Sequence, residues 1–461
     1  MATISSTGTS APADGSGITH SIYWRDTEAV EPGPPLAGDV RCDVGIIGGG
    51  YTGMWTAYFL KQADPSLDIH IVEMDYAGAG ASGHADGFVT PTIGHSLAGL
   101  VHGFGTERAK TAYAVVGRSM LELDRFCRKH DVDAELESTG YFSVAASEAQ
   151  LRLLRRDVDL AEKIGAKNSL QLLGRAEARE RIGSPAIHGA FKVGGALLNP
   201  HRLARGLARV VRGMGVHIHE RTTATGVTKE NGRHVITTPG GRVVADKLVL
   251  GTDAYQHQFS GYKHGVKPVW SYAVVTEPLT EEQLAQVHWP DREGFVESRN
   301  FIIFGRFTKD NRLLFGGGPA PYYYGRDMAE DKYMRRDAST QFLRDALVRY
   351  FPAWRDVRIA YSYGGCVGMT RDFVPHVGNT DDGVYHAYGY CGNGIALTHT
   401  AGKILRDLIL GRDSAYSNLL FVNRKERRFP VEPVSWMGAR ALTALLSFQD
   451  RHPNLIKKQL V

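Results

Sequence analysis

The sequence predicts an α/β protein in which a parallel sheet is assembled from three separated stretches of chain, with a mostly antiparallel, α+β sheet domain inserted between them. Three observations predict it. CDVGIIGGGYTGMWTAYFLKQ (42–62) is a short apolar strand, a glycine turn and a helix, and IHIVE (69–73) is a second strand. Strand, helix and strand within about 30 residues make a right-handed parallel crossover. The same grammar returns near the C-terminus in VYHAYGYCGNGIALTHTAGKILRDLILG (384–411), and between the two lie β-rich runs at 266–276, 301–305 and 312–317.

In chain order, MATISSTGTSAPADGSG is small, polar and without an apolar centre, so it reads as a disordered tail and no secretory signal. Pro32, Pro34 and Pro35 mark an extended lead-in to the first strand. Residues 106–130 and 147–164 carry Leu and Arg at helical spacing. In NPHRLARGLARVVRGMG (199–215) proline sits near a helix start and glycine at its end, as capping chemistry prefers. VHIHE, HVITT and KLVLGT follow as short strands, with turn signals at Asn231-Gly232 and Gly240-Gly241, and 334–350 is helical.

Composition narrows the function classes. The 461 residues are 43% hydrophobic and 22% charged, and 54 basic against 49 acidic residues leave +5. The charges are interspersed, as in RLLRRDVDLAEK, so they read as solvated helix faces and no nucleic-acid partner is expected. Cys42, Cys127, Cys366 and Cys391 are scattered, with neither a disulfide framework nor a zinc spacing, which suits a reducing cytoplasm. No run of about 18 apolar residues is present, so no membrane span is expected.

Gly48-Gly49-Gly50-Tyr51-Thr52-Gly53 satisfies G-x-G-x-x-G between a strand and a helix, and Glu73 closes the next strand. Gly48 permits the tight turn, Gly50 lets backbone approach a pyrophosphate, and Gly53 lets the helix press on the sheet. The helix start supplies N–H groups and dipole for phosphates, and the Glu73 carboxylate suits a ribose. The plain alternative, a glycine turn that binds nothing, is disfavoured by this context. The fingerprint alone does not separate FAD from NAD. Two further glycine loops, GAGASGHADGF (78–88) and Gly389–Gly394, favour the longer FAD, whose reduced ring a helix start stabilises.

These residues resemble the D-amino-acid oxidase (DAO) superfamily of FAD-dependent oxidoreductases, in particular its γ-glutamylputrescine oxidase-like and glycine/sarcosine oxidase-like members. The carriers are DVGIIGGGYTGMWTAYFL, GAGASG, NPHRLARGL, KLVLGTDAY, YGGCVGMTRDFVPHVG, GYCGNGIALTHTAGK and WMGARALTALLSFQDR. The resemblance implies a Rossmann-type FAD-binding domain in parts 22–130, 193–260 and 363–461, the last with a C-terminal helix. A substrate domain then occupies 131–192 and 261–362, after a tail over 1–21. It implies that Gly48, Gly50, Tyr51, Thr52 and Gly53 hold the pyrophosphate, Glu73 the ribose, and Ala224, in a strand after HIHE, the adenine. Ser82, Gly83 and His84 would lie beside the pyrophosphate and ring, and Gly389, Gly392, Asn393 and Gly394 at the pyrimidine end.

The implied reaction is hydride transfer to flavin N5 from the carbon next to nitrogen in a small amine or N-substituted amino acid, giving an imine that hydrolyses. O2 or another electron acceptor closes the cycle. The alternatives are an amine dehydrogenase with a non-oxygen acceptor, an NAD(P)-linked dehydrogenase, and a non-catalytic nucleotide-binding protein. The chain departs from the pattern at GASGHADG, where relatives read GASGRNGG, at Asn393 in place of histidine, and at Leu314, where sarcosine oxidases carry an oxygen-activating lysine.

No catalytic residue is assigned outright; His84 and Arg306 are candidates. His84, in a context close to HAAG, either contacts the cofactor or substrate or, the less favoured reading, bonds covalently to the flavin. Arg306, in FIIFGRF, either pairs a substrate carboxylate or is an inter-domain arginine. Cys366 and Cys391 read as buried small hydrophobes in preference to thioether sites. Tyr322, Tyr323 and Tyr324 form an aromatic wall or pack a loop. The apolar face of WMGARALTALLSFQDR is expected to dock on the protein in preference to a membrane. His217 and His219 share a strand face, but no third ligand is evident in sequence and no metal is expected.

Overall fold

A computed structural model describes residues 17–165, 171–259 and 261–455. Two large sheets, each of eight described strands, organise the chain. The first has the order His376–Asn379, Val384–Tyr388, Gly241–Leu250, Val40–Ile47, Ile69–Val72, His217–His219. Its central pairs are parallel, and Ile69–Val72 is buried at every position, as expected of a strand covered on both faces. A hairpin of Gly226–Glu230 and Arg233–Thr238 branches from its longest strand. The Asn231-Gly232 turn places both residues at positive φ, 48° and 81°, the geometry of a primed two-residue turn.

The Tyr51–Ala63 helix is buried along nearly its whole length. It is pinned between the sheet and the Gly394–Ile409 helix, whose Gly402 admits the Trp55 backbone so closely that a Cβ there would stand 2.8 Å from it. The Pro200–Gly213 helix starts as its sequence dictates: the Asn199 side chain accepts from the Arg202 N–H, proline fills the first turn, and Gly215 leaves at φ 82°.

The second sheet runs Ile359–Thr370, Val266–Thr276, Leu313–Gly317, Ile303–Phe307, Gly294–Glu297, Tyr141–Ala145, Gly189–Val193, Gln171–Leu173. Every pair is antiparallel except Gly294–Glu297 with Tyr141–Ala145. Several of its strands have no clear alternation and escape sequence reading. Ile359–Thr370 is interrupted by glycines at 364, 365 and 368, yet pairs with Val266–Thr276 along its length.

Three boundaries differ from expectation. Residues 1–16 of the expected tail lie outside the described residues, but Thr19 already bridges Tyr361 and donates to the Ala360 carbonyl, so the tail does not extend to residue 21. Ile22, Tyr23 and Trp24 pack with Ala273, Phe304 and Leu314, joining the lead-in to the second sheet. The expected division between 362 and 363 falls inside the Ile359–Thr370 strand. The Val434–Arg451 helix also serves the second sheet: Asp450 accepts from the N–H groups of Asn300 and Phe301, and Lys267 donates to the Ser435 carbonyl. Only Ser435 and Leu446 of this helix are buried, whereas Val434, Met437, Leu445 and Phe448 are about half exposed or more. The expected docking of its apolar face is therefore partial: one edge, through Leu446, and the polar ends make the contact. Among the described residues no helix is long and apolar enough to cross a membrane.

Candidate active site

Strands of the first sheet deliver Gly48, Glu73, Gly251 and Gly389 at their C-terminal ends. This is the edge at which open parallel sheets bind ligands. A cavity of about 960 Å³ opens there and continues onto the second sheet, where Tyr141, Ser143 and Ser271 line it.

The first glycine loop is built by close approach. Gly48 has φ 104°, and a Cβ would stand 2.6 Å from the Gly251 carbonyl oxygen; at Gly53 a Cβ would stand 2.1 Å from the Gly48 oxygen. Gly48, Gly50, Tyr51 and Thr52 border the cavity, whereas Gly53 lies behind them as a packing residue. Tyr51 and Thr52 also fix the loop, Tyr51 Oη donating to the Pro200 carbonyl and Thr52 Oγ1 meeting Tyr390 Oη at 2.8 Å. Ser82 Oγ accepts from the Tyr51 N–H at 2.8 Å, tying the second glycine loop to the first. Gly83 does not line the cavity; it packs on the Gly78 carbonyl.

Glu73 stands in the cavity wall and accepts from the N–H of Gly49 at 2.7 Å and of Asp75 at 3.0 Å. Burial pushes its carboxyl up to about 7 despite those donors. Ala224 also lines the cavity, in the irregular stretch between strands and not in a strand as expected.

In the third loop Gly392, Asn393 and Gly394 line the cavity. Gly389 stands behind, its N–H given to Asp253 at 2.7 Å. Asn393 does not cap the Gly394–Ile409 helix with its side chain, which instead accepts from Thr90 and Thr92. Two helix starts, at Tyr51 and Gly394, therefore open onto one cavity with their dipoles directed at it. With a carboxylate in the wall at one end, the donor set fits an extended dinucleotide with a pyrophosphate in its middle.

His84 is buried in the cavity wall, with Nε2 2.9 Å from an Arg25 nitrogen and Nδ1 3.8 Å from Glu330. Burial, then Arg25, holds its imidazole well below the usual histidine range. A guanidinium only donates, so Nε2 is the acceptor and Nδ1 carries the proton. Asp86, also in the wall, is pushed up to about 7 by burial.

Arg306 does not reach the cavity. Its guanidinium donates to the carbonyls of Leu198 at 2.7 Å and Gly87 at 3.1 Å, and its ring neighbour is Trp24. It is a buried tie between the glycine loop and the second sheet, which is the inter-domain reading of the two, and it does not face the cavity to pair a carboxylate. Of the three tyrosines, Tyr322 alone lines the cavity; Tyr323 stacks on Tyr333 at 3.6 Å and Tyr324 is exposed. Cys366 and Cys391 are thiols raised by burial, Cys391 to about 12, so neither is a thiolate nucleophile at neutral pH.

Sequence reading missed four groups. Arg25 and Glu330 come from segments far apart in the chain and meet only at His84. Asp253, at φ 41°, accepts from Gly389 and Gly368 and so positions the third loop; its TDAY motif was visible, its role was not. Lys267 stands over Tyr322 at 4.4 Å and Phe429 at 4.6 Å in the cavity wall, pushed down to about 8 by burial.

Comparison with known proteins agrees with this geometry. Residues 43–408 match the family model described as FAD dependent oxidoreductase, DAO. Gamma-glutamylputrescine oxidoreductase of Escherichia coli (strain K12) is 28% identical over 444 residues, covering 94% of this chain and 98% of that protein. Glycine oxidase of Geobacillus kaustophilus (strain HTA426) is 24% identical over 387 residues, covering 82% and 95%. The crystal structure of glycine oxidase from Geobacillus kaustophilus superposes with a TM-score of 0.71 at 20% identity, covering 84% of this chain and 99% of that one.

Proposed function

The chain belongs to the DAO family of FAD-dependent oxidoreductases, and from that premise we propose that it oxidises a C–N bond of a small amine or N-substituted amino acid. The observation that carries this reading is the single cavity that passes from the glycine loops of the first sheet to the face of the second. In this reading Gly48, Gly50, Tyr51 and Thr52 form the pyrophosphate cradle with Ser82 beside it, and Gly53 and Gly83 support it from behind by close packing. Glu73 and Ala224 serve the adenosine, and Gly392, Asn393 and Gly394 the ring, in a loop that Gly389 holds through Asp253. The bound flavin supplies a two-electron acceptor for the carbon next to nitrogen.

The protein supplies orientation and dryness. Taking an amine into the buried chamber lowers its pKa and favours the uncharged form from which hydride leaves. The Gly394 helix start directs partial positive charge at the ring end. His84, its Nε2 occupied by Arg25, presents an Nδ1–H and acts as a fixed donor, not as a base, in a noncovalent contact. Lys267, charged below about pH 8, offers a partner to an anionic group on the substrate. Gamma-glutamylputrescine oxidoreductase and the glycine and sarcosine oxidases among the relatives support amines bearing a carboxylate as the substrate class. The unpaired state of the four cysteines supports a reducing, cytoplasmic setting.

A second reading concerns the acceptor. Leu314 is fully buried among apolar side chains and brings no cation, which favours an acceptor other than O2. The test is anaerobic: the yellow protein is mixed with γ-glutamylputrescine, sarcosine and glycine, then reoxidised with air or a dye. Bleaching by at least one amine is expected, with faster recovery by the dye. A flavin that dithionite reduces but none of a broad panel of amines bleaches would overturn the proposal.

A further inference from the structure

The fold assembles a second polar cluster away from the cavity. His70 lies opposite His217 in the parallel pairing of Ile69–Val72 with His217–His219, and Val72 lies opposite His219. Strand alternation therefore puts Asp68, His70, His217 and His219 on one face, as a grid of two residues on each of two neighbouring strands. The sequence supplied no third ligand for the HIHE pair; the strand pairing supplies two.

From this grid we propose a site for a divalent transition metal, zinc in the first instance, held by Asp68, His70 and His217. One ligand atom from each of the three lies within 4.8 Å of the others. His70 Nε2 is 3.3 Å and His217 Nε2 3.9 Å from the same Asp68 oxygen. Zinc with nitrogen and oxygen ligands at about 2.0–2.2 Å needs these atoms slightly closer together. Asp68 and His217 are the two solvent-facing members, with side chains 46% and 59% exposed, so they are free to close by rotation while the buried His70 stays fixed. Exposure on that side leaves a fourth position to water.

The neighbouring histidine completes the arrangement. His70 Nδ1 is 2.9 Å from His219 Nε2. When Nε2 of His70 gives its lone pair to a metal, Nδ1 carries the proton and donates it to His219. Such an outer hydrogen bond fixes the tautomer of a ligating histidine. Two imidazoles and one carboxylate suit zinc, with copper(II) and nickel(II) as competitors. None of the three ligands borders the flavin cavity, so the site ties two strands together and takes no part in the oxidation.

The experiment titrates zinc into tag-free, chelator-treated protein against a chromophoric zinc chelator, with circular dichroism to confirm folding. One zinc per chain is expected, with affinity reduced by about tenfold or more in His217→Ala and in Asp68→Asn. Cobalt(II) provides a second readout, its visible bands appearing in the wild type and fading in both variants. Failure of the wild type to draw zinc from the chelator, or wild-type affinity in the variants, would overturn the site. Flavin content and amine bleaching are scored separately, so the fate of the metal proposal is independent of the catalytic one.

Discussion

Replacing Glu73 by glutamine separates the cofactor role of this carboxylate from its cost to the empty fold. Its carboxyl moves from an ordinary 4.5 to about 7 through burial. At 1.36 kcal/mol per pH unit the ionised group costs the flavin-free protein about 3 kcal/mol, trimmed to about 2 because the side chain opens partly onto the cavity. The sign follows from proton binding. Between the unfolded and folded values the native state holds a proton that the unfolded chain has released. Stability therefore falls as pH rises from about 4.5 to about 7, and levels off above. Glu73→Gln removes this slope. In chemical denaturation of flavin-free protein, the variant should match or trail the wild type at about pH 5 and exceed it by roughly 1–2 kcal/mol at about pH 8. FAD affinity should move the other way, weakened roughly ten- to hundredfold by loss of charge-assisted bonds to the ribose. Parallel pH profiles for the two proteins would refute the buried-carboxylate argument, and unchanged FAD affinity would refute the ribose assignment.

Gly53→Ala forces a Cβ to within 2.1 Å of the Gly48 oxygen, so the purified variant should be colourless or insoluble, read from its ratio of flavin to protein absorbance. Arg306→Met leaves the buried Leu198 carbonyl without its donor and strips one of the two donors from the Gly87 carbonyl, which keeps the Leu198 N–H. A loss of about 3 kcal/mol in denaturation is expected, with little change in KM for the folded fraction. Lys267 is held down to about 8 by burial, so its charge disappears as pH rises through that value. With a carboxylate-bearing amine, KM of Lys267→Met should exceed that of the wild type below about pH 8, and the ratio of the two should fall toward one above it. Acid precipitation should leave the yellow in the supernatant, because His84 is read as a fixed donor held in place by Arg25; yellow in the pellet would contradict the noncovalent contact.

The parallel sheet was readable because its signals are local: a strand, a glycine turn and a helix lie side by side in the chain. The same holds for the Asn199 cap and the Asn231-Gly232 hairpin. The second sheet was read only where apolar, β-rich runs stand out, at 266–276, 301–305 and 312–317. In Ile359–Thr370 the glycines dilute the pattern, so only the stretch around Cys366 reads as strand, and its full extent is set by the partner strand. At the site, glycine spacing found the loops but not what fixes them. Asp253 acts on Gly389 from 136 residues away, and Arg25 on His84 from 59; no window of sequence contains such a pair. Arg306 kept two readings in the sequence for the same reason, since the carbonyls that decide for the inter-domain one belong to residues 87 and 198.

The Val434–Arg451 helix borders the cavity with Ser435, Gly438, Ala439 and Leu446, and it follows the first glycine loop at a long distance in sequence. During synthesis on the ribosome, therefore, the chamber has no roof until almost every other element has emerged. Early fragments expose the apolar lining that the finished molecule conceals. Tight uptake of the coenzyme is thus expected late in maturation, its colour reporting that the glycine loops and this helix have met.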